Sequence, residues 1–193
     1  MCLPAFSSKR GAAWTASDWE TSNWCKAMPR PCRSMKVGDV VIGATVLLYM
    51  PVDQALKEWR RLLRPGGLVG LSAMRAGSPR ASEIFRACAR RLGAQVVDPS
   101  APLGSVAAVQ AALRTAGFDH ITLKEESIDF MPVDLSMAWE SNLRSAGHEA
   151  AQTLSPSDQE TLKAMFLAEL ADAMERDEHP LIKSDMLYAV ARR

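Results

Sequence analysis

The sequence is poor in cysteine and histidine. Its four cysteines, Cys2, Cys25, Cys32 and Cys88, are scattered irregularly through 193 residues. Such spacing argues against a disulfide framework and fits a reducing, cytoplasmic setting. Cys25 and Cys32 match no zinc pattern, and His120, His148 and His179 lie far apart, so no metal site is expected. The chain has no apolar run of the roughly 18 residues that a membrane-spanning helix needs. Its beginning lacks the apolar stretch of a secretory signal. A formal net charge of +1 argues against a strongly basic nucleic-acid binder. Neither a P-loop nor a Ser/His/Asp constellation nor a basic–aromatic stripe can be written.

Apolar residues make up 48% of the chain and charged residues 23%, a balance that supports a packed core in a chain of this length. Charge is unevenly spread. From Lys57 to Arg91 there are nine Lys/Arg against two Asp/Glu, whereas from Asp119 to Asp185 there are five basic and fifteen acidic residues. These stretches read as two solvated faces of opposite sign, or as an anion-facing half beside an acidic partner surface. Residues 1–38 hold three of the five tryptophans and show no sustained period, so they read as an irregular or disordered arm. Their abrupt join to the patterned chain leaves open a native arm or a change of reading frame.

From Asp39 to Tyr49 a β-branched apolar run reads as a strand buried on both faces. Asp53 is expected to cap a helix with Leu56, Trp59, Leu62 and Leu63 on one stripe, and Pro65-Gly66-Gly67 to stop it. Leu68 to Ser72 forms a second short strand. Ser78-Pro79 opens a helix burying Ile84, Phe85, Cys88 and Leu92, with Cys88 as a buried thiol rather than a nucleophile. A third helix runs from about Ser105 to Thr115. A strand follows from His120 to Phe130. Ser155-Pro156-Ser157-Asp158 is a capping box for a long helix with Leu162, Met165, Phe166, Leu170, Ala173 and Met174 on one stripe. Met186 to Ala191 is a last strand. Strands alternating with helices predict an α/β layered fold with a mostly parallel sheet.

The strand from Asp39 to Pro51, the helix and turn Leu56-Lys-Glu-Trp-Arg-Arg-Leu-Leu-Arg-Pro-Gly-Gly67, and Ala116-Gly117-Phe118 before a strand together resemble the second half of a class I S-adenosylmethionine-dependent methyltransferase. The resemblance covers residues 39–193 and implies a truncated Rossmann-like methyltransferase sheet, mostly parallel with an antiparallel last strand and helices on both faces. It makes residues 133–180 a helical cap-like insertion before that strand. Before Asp39 only Gly11 and Gly38 occur, so the family's glycine-rich cofactor loop cannot be written there.

The resemblance implies S-adenosylmethionine as cofactor and a small-molecule methyl acceptor. Gly43, Ala44 and Thr45 fall at the strand's carboxyl end, where open sheets bind ligands, and become the cofactor-binding candidates. For Gly43 a close strand–helix contact is the other reading. Tyr49 is the candidate catalytic residue, or else a packed aromatic with a wet hydroxyl. Trp139, Asn142 and His148 are the acceptor-binding candidates, although a tryptophan such as Trp139 is more often core than pocket. With the family's first strand missing, Val40–Leu48 becomes a strand edge open to a homodimer, a partner chain or residues 1–38. The second reading of function is a catalytically inactive methyltransferase-like protein binding a partner through that edge.

Overall fold

The computed structural model describes residues 38–128, 135–176 and 183–193, all within one compact unit, Arg33–Arg193. The expectation of an irregular arm lies outside the described residues, apart from Gly38. So do His179, the end of the predicted strand at Phe130, and both ends of the predicted cap.

Four strands form one sheet: β1 (Gly38–Ala44), β2 (Leu63–Met74), β3 (Asp119–Ile128) and β4 (Ser184–Arg192). Their spatial order is β1-β2-β4-β3. β1 and β2 are parallel, and β4 runs antiparallel to both β2 and β3. Three strands therefore point one way and the last returns between two of them. This is the α/β sheet that the sequence predicts.

Helix α1 (Val52–Leu62) makes the crossover from β1 to β2, and α3 (Val106–Thr115) leads into β3. Both bury an apolar stripe on the same sheet face. Leu56, Val109 and Leu113 meet Val69, Leu71, Leu187, Ala189 and Ala191 there. Ser105 caps α3, its hydroxyl accepting from the Ala108 N–H at 3.1 Å. The opposite face presents Val40, Ile42 and Val190 to solvent.

Four further helices form the cap: α2 (Arg80–Arg91), α4 (Leu135–Leu143), α5 (Glu149–Gln152) and α6 (Pro156–Arg176). They enclose a second core around Phe85, Cys88, Trp139, Leu162, Phe166 and Leu170. The capping box at α6 forms, with the Asp158 N–H donating to the Ser155 hydroxyl at 3.2 Å. Cys88 is fully buried, and burial, reinforced by Glu169, pushes its thiol up to about 11. No described helix is long and apolar enough to cross a membrane.

Several boundaries differ from expectation for identifiable reasons. β1 stops at Ala44 rather than continuing to Tyr49, because Thr45 takes a left-handed backbone (φ 55°) and Val46–Tyr49 winds into a 3-10 turn. The strand is buried on one face only. Asp53 sits in the first turn of α1, with Pro51 at the N-cap. Pro79, not Ser78, takes the N-cap of α2. Pro65-Gly66-Gly67 ends the helix but lies within β2, in the bulge where Gly38 pairs with Leu63 and Val40 with Leu68. On α6, Met174 is 55% exposed and leaves the buried stripe.

Candidate functional site

The carboxyl end of β1 carries three of the predicted residues. Gly43 is buried over α1, and a Cβ on it would lie 2.2 Å from the Trp59 ring. Its missing side chain is therefore explained by the strand–helix contact. Ala44 faces solvent beside it. Thr45 is a β-branched residue in the left-handed region, a conformation that costs about 1–3 kcal/mol and needs support from its surroundings. Ser72 on β2 supplies that support. The Thr45 N–H donates to the Ser72 carbonyl at 3.2 Å and to its hydroxyl at 3.0 Å, and the two side-chain hydroxyls lie 3.1 Å apart.

Beneath this pair lies a cavity of about 10 Å³ bordered by Thr45, Leu48, Ser72, Ser100 and Leu103. That is room for one water, against the several hundred Å³ of an ordinary ligand pocket. Tyr49 stands at the end of the 3-10 turn, 49% exposed. Ala44 and Tyr49 are exposed and Thr45 is half-buried, and of the three only Thr45 borders the cavity.

The acceptor-side candidates lie in the other core. Trp139, Asn142 and His148 are each more than nine-tenths buried. Phe85 stacks on His148 at 4.8 Å and packs against Trp139 at 5.8 Å, with Phe166 edge-on at 5.5 Å. The Asn142 amide donates to the Ala138 carbonyl at 2.9 Å. His148 Nδ1 lies 2.7 Å from the Asn142 carbonyl, which can only accept, so Nδ1 carries the proton. His148 Nε2 and Asn142 Oδ1 are buried without a partner among the described residues. Burial pushes the imidazole below its ordinary range and Arg86 adds to this, against the pull of the Asn142 carbonyl. Trp139 also borders a surface groove of about 440 Å³ together with Met137, Glu140, Ser141, Arg144 and Lys163. The structure thus places Gly43, Ala44, Thr45 and Tyr49 at the sheet and Trp139, Asn142 and His148 in the cap, in association with two separate cores.

Sequence reasoning missed the polar hub that anchors the loop before α3. Asp98 accepts from the Gly77 N–H at 2.8 Å, the Ser100 N–H at 3.0 Å, the Ser100 hydroxyl at 2.6 Å and Arg86 at 3.3 Å. Burial pushes the Asp98 carboxyl up, but the bonds from Ser100 and Gly77, with Arg86 beside it, outweigh this and hold it below the usual carboxylate range. The Arg86 side chain is 5% exposed, although it belongs to the basic stretch that reads as a solvated face. Burial lowers its pKa, partly offset by Asp98. Asp98-Pro99-Ser100 is a turn signature in which the carboxylate reaches backbone two residues on, and that signal was present in the sequence. Among the described residues no group of three or more potential metal ligands gathers.

No protein-family model matches the sequence, and a search of curated proteins finds no match. Solved structures do show similarity. Phosphoethanolamine N-methyltransferase 2 of Haemonchus contortus, in complex with phosphomonomethylethanolamine and S-adenosylhomocysteine, is 14% identical over 80% of this chain and 33% of its own, with a TM-score of 0.40. Mycolic acid cyclopropane synthase CmaA1, complexed with SAH and CTAB, is 18% identical over 82% of this chain and 56% of its own, with a TM-score of 0.39. The [4+2]-cyclase SpnF is 20% identical over 82% and 50%, with a TM-score of 0.36. The chain spans between a third and just over half of the length of these proteins. The assignment of the fold rests on the chain's own strand order and directions.

Proposed function

We propose that this chain belongs to the methyltransferase type of α/β protein and serves S-adenosylmethionine-dependent methyl transfer to a small-molecule acceptor. The observation that carries the reading is the connectivity of the sheet. Parallel β1 and β2 are joined through α1, whose sequence runs into Arg64-Pro65-Gly66-Gly67, and antiparallel β4 returns between β2 and β3. This is the order and sense in which the resembling segments occur in the sequence.

The described residues fit the cofactor only at a rim. Ala44, Thr45 and Tyr49 offer one open edge at the carboxyl end of β1, while the enclosed cavity behind them holds no more than a water. In this reading they make the cofactor-side contact, and Trp139, at the groove beside Met137, lies on the acceptor side. Inside the cap, His148 at the start of α5 donates to the Asn142 carbonyl of α4, while the Asn142 amide bonds back to Ala138 within α4.

Calorimetric titration of the intact chain with S-adenosylmethionine and S-adenosylhomocysteine tests the reading. Saturable binding, weaker than micromolar and abolished by Ala44→Trp, is the expected result. No heat at millimolar cofactor would overturn it.

A further inference from the structure

Among the described residues the sheet has two unpaired edges, and they are built differently. β3 begins irregularly, with a register shift between Asp119 and Thr122 and a positive φ at His120, and exposes Lys124, Glu125 and Glu126. Bulges and charges of this kind keep an edge from pairing with another strand. β1 has no comparable guard. From Val40 to Ala44 it carries neither charge nor proline. Its one carboxylate, Asp39, is taken up by an ion pair with Arg64. Its irregularity lies at its first residues, and Val40 and Ile42 are 53% and 78% exposed.

We propose that the β1 edge is the contact surface for a second copy of this chain. The two β1 strands run antiparallel about a two-fold axis at Val41, so that one sheet continues through both copies. The residue pattern favours this occupant. A two-fold at Val41, the midpoint of Gly38–Ala44, pairs the full strand and sets Val40 against Ile42 of the other copy on the open face. Directly opposed β-branched pairs are favourable, and every side chain keeps its own face. Asp39 then falls opposite Gly43, so the strand's only charge never meets its own like.

One further observation agrees. The net charge of +1 leaves little repulsion between copies. Strand pairing alone falls short of the roughly 1,200 Å² that a stable interface buries. The interface therefore takes in α1, which lies under the edge with Trp59 against Gly43. The proposal stands independently of the methyltransferase reading.

The test is the mass of the intact chain by sedimentation equilibrium, with amide exchange read at Val40–Ala44. The expected mass is twice 21.1 kDa, with β1 amides protected. Ile42→Lys, at an exposed position, returns the mass to that of one chain and exposes those amides, with unchanged circular dichroism. Thr122→Lys on the guarded edge leaves the dimer intact. A wild-type monomer overturns the proposal. If its β1 amides are nevertheless protected, another segment of the same chain covers the edge. A dimer that survives both Ile42→Lys and Val40→Glu overturns it equally.

Discussion

Leu56, Val69, Leu113 and Leu187 fill the core beneath the sheet with aliphatic side chains, whereas Phe85 in the cap is ringed by Trp139, Phe166 and His148. The sheet side satisfies its polar backbone chiefly through strand ladders. The cap encloses His148 and Asn142, and the buried Arg86 of α2 is bonded to Asp98. Buried polar groups of this sort stabilise one arrangement when satisfied and are costly when a partner is removed. The two cores should therefore fail under different insults.

The largest effect is expected from Phe85→Ala, which removes the ring that three aromatic neighbours share. A loss of about 4 kcal/mol is expected for a buried aromatic cut to alanine, read as a fall in the denaturant midpoint. Equal destabilisation by the nearby Ile84→Ala, which is only partly buried, would contradict a centre at Phe85. Next comes Asp98→Ala. It leaves Arg86 buried without its carboxylate and the Gly77 and Ser100 N–H groups without their acceptor, for an expected loss of roughly 3 kcal/mol. Retention of wild-type stability would show that Arg86 reaches water.

Acid comes third. Burial keeps the folded-state pKa of His148 below its unfolded value near 6.5, so the unfolded chain binds more protons. The stability tied to neutral His148 is complete above that value and declines as pH falls through the folded-state pKa. His148→Gln should flatten this decline in thermal melts run across the range. The Asp98 contribution has the same sign, is complete above the ordinary carboxylate value and is lost as pH falls through its lowered folded-state pKa. The smallest effect belongs to Met174→Gln, expected within about 0.5 kcal/mol because the side chain is largely in solvent.

Most of the fold was legible in the sequence because its elements announce themselves by period and punctuation. The stripe through Leu56, the Ser105 cap, the Ser155 capping box and the glycine at 117 mark helices whose ends depend on local chemistry. The misses arose where tertiary contacts override local pattern. Thr45 is a good strand residue by propensity, yet Ser72 holds it in a left-handed turn. Arg86 sits in a run of arginines that faces water elsewhere, and only the fold brings Asp98 beside it. For the candidate site, the reading of Gly43 as a strand–helix contact matches Trp59, whereas the distribution of the other candidates between two cores follows from three-dimensional placement that no spacing encodes.

Amide exchange followed residue by residue, at about pH 7 and again through the acid range in which His148 takes up its proton, tests the contrast between the cores most directly. The account predicts that amides of α2, α4 and α6 lose protection at the lower pH while those of β2 and β4 keep theirs. Loss of protection in both groups together, or in the sheet first, would contradict it.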